Sequence, residues 1–243
     1  MQIESRLLNQ EEFKKHSKRV YSQNEEDGVI EYIFKLLNVD YNNDLFIEIG
    51  TEDGETQCNS VYLRKNGMKG YLFDNNHENK DINLFKRTIT TDNLKNVLDE
   101  FGLSDKSISM FSIDVDSFDY WLFKAALSLD IKPKLFVVER NDNYGSDLGT
   151  FPNESPIRWL WKKEETGNMG QYCETESGVY RAGSGYKSLD KIANENNYIR
   201  VYSGRVNLYY IHKMYIPDGF KQPDDIWGMR IDQLRLFALQ NRV

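Results

Sequence analysis

Short apolar runs alternate with amphipathic segments along this 243-residue chain, and this alternation constrains its fold more than any other feature. Helical spacing of apolar residues marks segments between the runs, such as NLKNVLDEF and YWLFKAALSL. The strand-like runs are LFIEIG (45–50), KGYLFD (69–74), MFSID (110–114) and KLFVVE (134–139). Because strands this apolar are buried on both faces, the pattern predicts a doubly wound, mostly parallel α/β sheet.

Local signals divide the chain further. Ser22 and Glu25 have the spacing of a capping box, which predicts a helix over 23–38, and a second helix is expected around 57–66. A short strand is expected at RTIT (87–90). Near the C-terminus, the helix SLDKIANENN precedes two strands, YIRVYS and NLYYIHKMYI, separated by a tight turn at Gly204-Arg205. The prediction is therefore five parallel strands followed by an antiparallel hairpin.

The length suits a single domain spanning 1–243. Within it, residues 1–21 are predicted as a polar helical arm, and residues 217–243 as a tail whose segment IDQLRLFALQ docks as a helix. Residues 141–183 interrupt the alternation after the fourth main strand with a polar segment. A connection of this length is usually a functional loop, so we expect it to cover the substrate.

Composition excludes several classes of protein. With 38 acidic and 31 basic residues the net charge is −7, which argues against a general surface for binding polyanions such as nucleic acid. No apolar run approaches the roughly 20 residues of a membrane span, and no signal-like apolar segment follows Met1. Cys58 and Cys173 match no metal or redox spacing. We expect a soluble cytoplasmic protein with two reduced thiols.

Acidic residues stand at the carboxyl ends of four predicted strands. They are Glu48, Asp74, Asp114 and Glu139. In open α/β sheets, ligands bind at this edge, near the point where the strand order reverses. The first turn, Gly50-x-x-x-Gly54, is neither a dinucleotide fingerprint nor a Walker loop, and its own acids would repel a pyrophosphate.

A cationic nucleoside without phosphates suits such an edge, and S-adenosylmethionine is the ligand that this chemistry indicates. Glycines allow close backbone approach, and Asp74 stands where an acid binds ribose hydroxyls. The ordinary structural alternative is that Glu48 caps a strand or pairs with a lysine, while the glycines form an unremarkable turn.

Several segments, in order over about residues 21–211, resemble the FkbM-type family of S-adenosylmethionine-dependent methyltransferases. They are YSQNEEDGVIEYIF (21–34), FIEIGTEDGETQCNSVYL (46–63), GYLFDNN (70–76), the stretch from TTDNLKNVL through SMFSIDVDSFDYW, KPKLFVVERNDNYG (132–145) and SGYKSLDKIANENNYIRV with VNLYYI. The resemblance implies a class I methyltransferase (Rossmann-like) fold and O-methylation of a hydroxyl on a sugar, either nucleotide-linked or part of a polysaccharide. It also implies a set of cofactor-binding residues: Gln23, Glu48, Gly50, Thr51, Gly54, Asp74, Asn75 and Asp114. The chain departs from the family pattern at Thr51-Glu52, Ser117 and Arg140, which bears on the cofactor and substrate contacts.

A sugar hydroxyl needs a base or a metal to be activated at neutral pH. Candidate bases are Asp114, Asp116 and Glu139. Asp114, Glu139 and Asn141 resemble the ligand set of metal-dependent small-molecule O-methyltransferases, and such oxygen ligands suit Mg²⁺ or Mn²⁺. Alternatively, Asp114 receives the cofactor ammonium and Asp116 caps the following helix. The three histidines, His16, His77 and His212, are expected to be structural or exposed.

The insert carries aromatic and basic residues that suit a sugar on a diphosphate carrier. Trp159, Trp161 and Tyr172 are candidates to stack on a sugar face, and Arg158 or Arg181 to bind the diphosphate. The competing interpretation is that the two tryptophans form a small core of the insert itself.

Two rival functions remain open from the sequence. A nucleic-acid methyltransferase that acts on base amines would carry an Asn/Asp-Pro-Pro-aromatic motif where this chain reads IDVDSF. A non-catalytic binding or assembly module with the same fold would account for the unusual Thr51-Glu52 turn. The arm and the C-terminal helix could also mediate a homodimer.

Overall fold

Ten strands and six α-helices make up the described part of the chain. A computed structural model describes residues 2–141, 144, 149–150, 152–153, 158–163 and 169–224, apart from the side chains at 158, 159, 161, 169 and 171. The helices are α1 Gln10–His16, α2 Glu26–Leu36, α3 Val61–Lys65, α4 Leu94–Glu100, α5 Asp119–Ser128 and α6 Tyr186–Glu195. The strands are β1 Leu45–Ile49, β2 Lys69–Asp74, β3 Leu84–Lys86, β4 Ile108–Ile113, β5 Leu135–Glu139, β6 Arg158–Lys163, β7 Met169–Thr175, β8 Gly178–Arg181, β9 Tyr198–Ser203 and β10 Asn207–His212.

Seven strands form the central sheet in the order β3-β2-β1-β4-β5-β10-β9. The first five are parallel, whereas β10 runs antiparallel to both β5 and β9. The order reverses between β1 and β4, which is the switch point where ligands bind in doubly wound sheets. This is the class I methyltransferase fold, a mostly parallel sheet ending in an antiparallel hairpin, and it confirms the fold predicted from the sequence.

Helices cover both faces of the sheet. Residues of α4, α5 and α6 pack with one core cluster, and residues of α1, α2 and α3 with the other. Successive strand residues point to opposite faces, so Ile47 and Ile49 belong to the first cluster while Phe46 belongs to the second. Glu48 has the parity of Phe46 and therefore points toward the layer that contains α3.

The N-terminal segment, predicted as a polar helical arm, contributes apolar side chains to the core. Ile3, Leu8 and Phe13 are buried in the second core cluster. Phe13 stacks on Tyr202 with ring centroids 4.9 Å apart and meets the edge of Tyr32 at 5.4 Å. The segment therefore completes the core on one side of the sheet.

The predicted capping box at the start of α2 is wrong. The helix begins at Glu26, and its N-cap residue Glu25 makes no side-chain capping bond. Ser22 donates its hydroxyl instead to Asp27, at 2.8 Å, and accepts the Asp27 N–H at 3.2 Å. The buried carboxylate of Asp27 is the stronger partner because it is charged.

Other boundaries also differ from the predictions. The short strand is β3, which ends before RTIT, and α3 begins only at Val61 because the preceding amides bind Glu48. The hairpin turn is as predicted, with the Gly204 N–H donating to the Asn207 carbonyl at 2.8 Å. The predicted helix IDQLRLFALQ lies outside the described residues.

The insert after β5 contains an antiparallel sheet in the order β6-β7-β8. Cys173 and Ala182 from this region are fully buried and pack with Phe118 of the main domain. No helix in the described residues is both long and apolar enough to cross a lipid bilayer.

Candidate cofactor site and active site

A cavity of about 410 Å³ opens at the carboxyl ends of β1, β2 and β4. We call it the strand-end cavity. Its apolar walls include Phe73, Ile89, Phe118 and Leu122. The predicted site residues in its lining are Gln23, Glu48, Gly50, Thr51, Asp74, Asn75, Asp114 and Asp116. The structure therefore brings together most of the residues that the sequence placed at this edge.

Gly50 allows the ends of β1 and β4 to meet at the cavity floor. Its φ is +85°, and a Cβ at this position would lie 1.6 Å from the Asp114 carbonyl oxygen. The Gly50 N–H donates to Phe73, and the Asp114 N–H donates to Ile49. Because any side chain would collide with backbone, this position requires glycine.

Glu48 anchors the start of α3. Its carboxylate accepts the Asn59 N–H at 2.8 Å and the Ser60 N–H at 3.0 Å, and the residue is 1% exposed. Burial raises its pKa, and hydrogen bonds from this helix start oppose the rise. The acid that interrupts β1 therefore has a structural partner as well as a place in the cavity lining.

Asp74 organises the turn after β2. Its Oδ1 accepts the Asn76 and His77 N–H groups and contacts His77 Nδ1 at 2.9 Å. Its Oδ2 accepts the Glu52 N–H at 3.0 Å, which ties the β2 turn to the glycine turn. Asp74 therefore holds the two loops that form one wall of the cavity.

Three acids come together where β4 and β5 end. Ligand oxygens of Asp114, Asp116 and Glu139 all lie within 4.8 Å of one another. We call this group the carboxylate cluster. The sequence predicted Asp114, Glu139 and Asn141 as metal ligands, and the structure groups the first two with Asp116, which the sequence predicted as a candidate base.

Burial and mutual repulsion disfavour full negative charge on the carboxylate cluster. Burial, followed by repulsion from Asp119, Asp116 and Glu48, raises the pKa of Asp114 well above its usual value. Burial and the charges of Asp114, Asp119 and Asp116 likewise raise the pKa of Glu139. A cation placed between these groups would relieve the repulsion.

Asp119, at the start of α5, was not predicted as a site residue. It is fully buried, and its Oδ1 accepts the Val115 N–H at 2.8 Å, which holds the loop that carries Asp116. Burial raises its pKa to about 7. The signal available in the sequence was an acid at the first position of a strongly apolar helix.

Backbone conformation also marks the cavity. Among described residues other than glycine, six have positive φ, and three of these are asparagines, which tolerate that region well. The other three are Glu52, Gln57 and Asp116, and all three line the cavity. Such conformations concentrate at functional sites, where the surrounding structure holds them in place.

Gly54, Glu139 and Asn141 are not part of the cavity lining. A Cβ on Gly54 would lie 2.7 Å from Ile82 Cδ1, so this glycine permits packing of the turn on that side chain. Asn141 donates its Nδ2 to the Ala182 carbonyl at 2.8 Å and its backbone N–H to Ser184. It therefore links the end of β5 to the segment that leads into α6.

The insert lies beside the cavity through Phe118, which packs against the cluster of Cys173 and Ala182 and also lines the cavity. The strand register pairs Tyr172 with Arg181 and Cys173 with Tyr180. Because neighbouring residues alternate, Tyr172 and Arg181 lie on the opposite face of this sheet from Cys173. The side chains of Arg158, Trp159 and Trp161 lie outside the described residues.

No protein-family model and no curated protein sequence matches the chain. Among solved structures, the chain is similar to the Burkholderia thailandensis 1,6-didemethyltoxoflavin-N1-methyltransferase, crystallised with 1,6-didemethyltoxoflavin and S-adenosylhomocysteine. The identity is 9%, the match covers 75% of this chain and 76% of that chain, and the TM-score is 0.36. A likeness at this level carries no argument about activity, so the fold assignment rests on the strand order described above.

Proposed function

We propose that the chain is an S-adenosylmethionine-dependent O-methyltransferase that acts on a hydroxyl of a sugar and uses a divalent metal ion. The observation that carries the proposal is the position of the carboxylate cluster. It lies at the carboxyl ends of β4 and β5, beside the switch point of a class I methyltransferase sheet and next to a cavity whose floor contains Gly50.

The cavity residues fit the cofactor. Gly50 brings the β1 and β4 backbones together under the ligand, Asp74 Oδ2 is available to a ribose hydroxyl beside the Glu52 N–H, and Phe73, Ile89 and Leu122 offer apolar contact to a base. Asp114 would face the positively charged end of the cofactor. When bound, the cofactor supplies an electrophilic methyl group on a sulfonium.

The carboxylate cluster fits a hard divalent cation. Asp114, Asp116 and Glu139 offer carboxylate oxygens, the ligands that Mg²⁺ and Mn²⁺ prefer. Burial and the neighbouring acids raise the pKa values of Asp114 and Glu139, and a bound cation would favour their charged forms. An ion held there would lower the pKa of a hydroxyl bound to it.

The same acids supply the base. A carboxylate with a raised pKa accepts a hydroxyl proton more readily than an ordinary one near neutral pH. Asp116 is the exposed member of the carboxylate cluster, while Asp114 and Glu139 are half-buried. Asp119 holds the Asp116 loop through Val115. We infer that Asp116 faces the acceptor and that the half-buried pair, Asp114 and Glu139, sets the local charge.

The sugar acceptor follows from the resemblance to the FkbM-type family. Packing of the insert on Phe118 supports a role for the insert in covering the acceptor. The face that carries Tyr172 and Arg181 points away from this contact, so stacking on the sugar is assigned to residues on the Cys173 face.

Calorimetric titration of chelator-treated protein with S-adenosylhomocysteine tests the cofactor assignment, and a second titration with Mn²⁺ tests the metal. We expect micromolar binding of S-adenosylhomocysteine, and Mn²⁺ binding that is lost in Glu139→Gln. The matched control is Glu195→Gln, the same substitution at an exposed position of α6. Nucleotide sugars are then screened as acceptors by methyl transfer.

The two halves of the proposal fail separately. If S-adenosylhomocysteine does not bind with or without Mn²⁺, the methyltransferase assignment is wrong and a non-catalytic binding or assembly module becomes the function to pursue. Cofactor binding together with equal Mn²⁺ affinity in wild type and Glu139→Gln would contradict the metal site alone.

A further inference from the structure

The loop before α2, residues 20–24, is held by one buried carboxylate. Asp27 Oδ2 accepts the N–H groups of Val20, Tyr21 and Ser22 at 2.7, 2.7 and 2.9 Å, and also the Ser22 hydroxyl. Asp27 is 1% exposed. Four donors converging on one charged oxygen form a strong and directional clamp.

Two neighbouring acids tie the same loop to the hairpin on the other side. Glu26 accepts the Asn24 N–H at 2.6 Å and the Asn207 side-chain amide at 3.3 Å. Glu25 accepts the Arg205 N–H at 2.8 Å. On the opposite side, a Cβ on Gly28 would lie 2.1 Å from the His16 carbonyl oxygen. The loop is therefore fixed at both ends.

The clamp places Gln23 in the wall of the strand-end cavity. Ser22 forms a parallel bridge with Gln57, which also lines the cavity. Asn24 Nδ2 donates to Gln23 Oε1 at 3.3 Å. That bond uses one lone pair of the carbonyl oxygen and directs the oxygen toward Asn24, and the amide of Gln23 has two N–H donors to offer a ligand.

The polar groups that line the cavity include two acids of the carboxylate cluster, Asp114 and Asp116. They also include the neutral side chains of Gln23, Gln57 and Thr56. An amino-acid group carries its ammonium and its carboxylate on the same carbon atom. Acids would bind the ammonium, and amide donors would bind the carboxylate.

We propose that Asp27 is a positioning residue that fixes Gln23 to receive the carboxylate of the cofactor's amino-acid part. The inference rests on the proposed function, because it takes the ligand of this cavity to be S-adenosylmethionine. It gives each of the three consecutive acids before Gly28 a separate contact: Asp27 and Glu26 bind different parts of the loop, and Glu25 binds the hairpin.

The test compares two ligands by calorimetry. S-adenosylhomocysteine carries the amino-acid group, and 5′-methylthioadenosine keeps the nucleoside and sulfur without it. We expect Gln23→Ala and Asp27→Asn each to weaken S-adenosylhomocysteine binding about tenfold, the size of a lost hydrogen bond to a charged group, and to leave 5′-methylthioadenosine binding unchanged.

Asp44→Asn is the matched control. Asp44 is also a buried carboxylate, and it accepts bonds from Ser107 and Lys134 at the opposite end of β1. We expect it to lower the melting temperature without changing the affinity for either ligand. Melting curves of all variants separate loss of stability from loss of binding.

The outcomes distinguish the inference from the function on which it rests. If wild type binds neither ligand, the proposed function itself is wrong. If wild type binds both, the inference is overturned by unchanged S-adenosylhomocysteine affinity in either variant, or by an equal loss for both ligands. Gln23→Ala removes an exposed side chain, so it should fold, and it decides the question even if Asp27→Asn does not fold.

Discussion

Single residues set the shape of the strand-end cavity because the ends of β1 and β4 are so close together. Gly50 lies against the Asp114 carbonyl, Glu48 binds the start of α3, and Asp119 holds the loop after β4. Each of these contacts depends on a buried polar group or on a glycine. Substitutions at these positions should therefore change the stability of the protein strongly.

We expect Gly50→Ala to destabilise the protein by about 3 kcal/mol, since the new Cβ would overlap the Asp114 carbonyl and force the strands apart. Gly67→Ala is the control, because Gly67 has a similar φ of +91° with nothing within 4 Å of its Cβ position. The control should cost about 1 kcal/mol, the strain of a left-handed conformation alone. Urea unfolding measures both, and equal costs would contradict the close approach.

We expect Asp119 to make the ligand-free protein less stable as the pH rises. Its folded pKa of about 7 lies above the usual value of 3.8, so the folded state favours the protonated form. The resulting stabilisation is full below pH 3.8 and is lost as the pH rises through about 7. The free energy of unfolding of Asp119→Asn, relative to that of wild type, should therefore rise by about 2 kcal/mol as the pH goes from 5 to 8.

Thermal unfolding across that pH range measures the difference. Asp130→Asn, an exposed acid after α5, is the control and should follow wild type at every pH. A difference between Asp119→Asn and wild type that does not change with pH would show that Asp119 does not titrate in this range.

Whole elements meet through a buried polar network around the cavity. Asn207 of β10 donates to Glu26 of α2 and to Asn59 before α3, and Asn59 donates to Ser112 of β4. The N-terminal segment adds apolar contacts through Phe13, which is fully buried between Tyr32 and Tyr202. The segment before β1 therefore supports both the core and the wall of the site.

We expect Phe13→Ala to destabilise the fold by about 3 kcal/mol or more, because it leaves a cavity between α2 and β9. Val20→Ala, at a side chain that is 48% exposed, should cost little. Urea denaturation of the two variants measures the difference. A cost below about 1 kcal/mol for Phe13→Ala would mean that the segment is only a peripheral arm.

At the scale of the whole molecule, acidic charge and fold act together. The protein as a whole carries a net charge of −7, and the carboxylate cluster beside the strand-end cavity is also acidic. Cationic groups are therefore attracted to the site and polyanions are repelled from the molecule. This balance favours a small cationic cofactor over a nucleic-acid substrate.

We expect no retention of the protein on heparin at low salt, since binding a polyanion needs clustered basic residues. Retention on an anion exchanger in the same buffer is the positive control. Heparin retention that is removed by moderate salt would favour the nucleic-acid methyltransferase that the sequence left as a rival.

The sequence by itself determined the order of strands and helices, the parallel sheet with its final hairpin, and the line of acids at the strand ends. These follow from local patterns: buried strands read as apolar runs, and glycine turns follow them. Glu48, Asp74, Asp114 and Glu139 could be placed on one edge because parallel strands end together.

Only the tertiary structure decided what each acid contacts. It grouped Asp116 with Asp114 and Glu139, gave Glu48 to the start of α3, and used Asp27 to hold the loop that carries Gln23. A buried carboxylate takes the donors that long-range packing brings to it, and no local spacing encodes which donors those will be. The capping box predicted at Ser22 failed for this reason, because the carboxylate of Asp27 was the partner that folding provided.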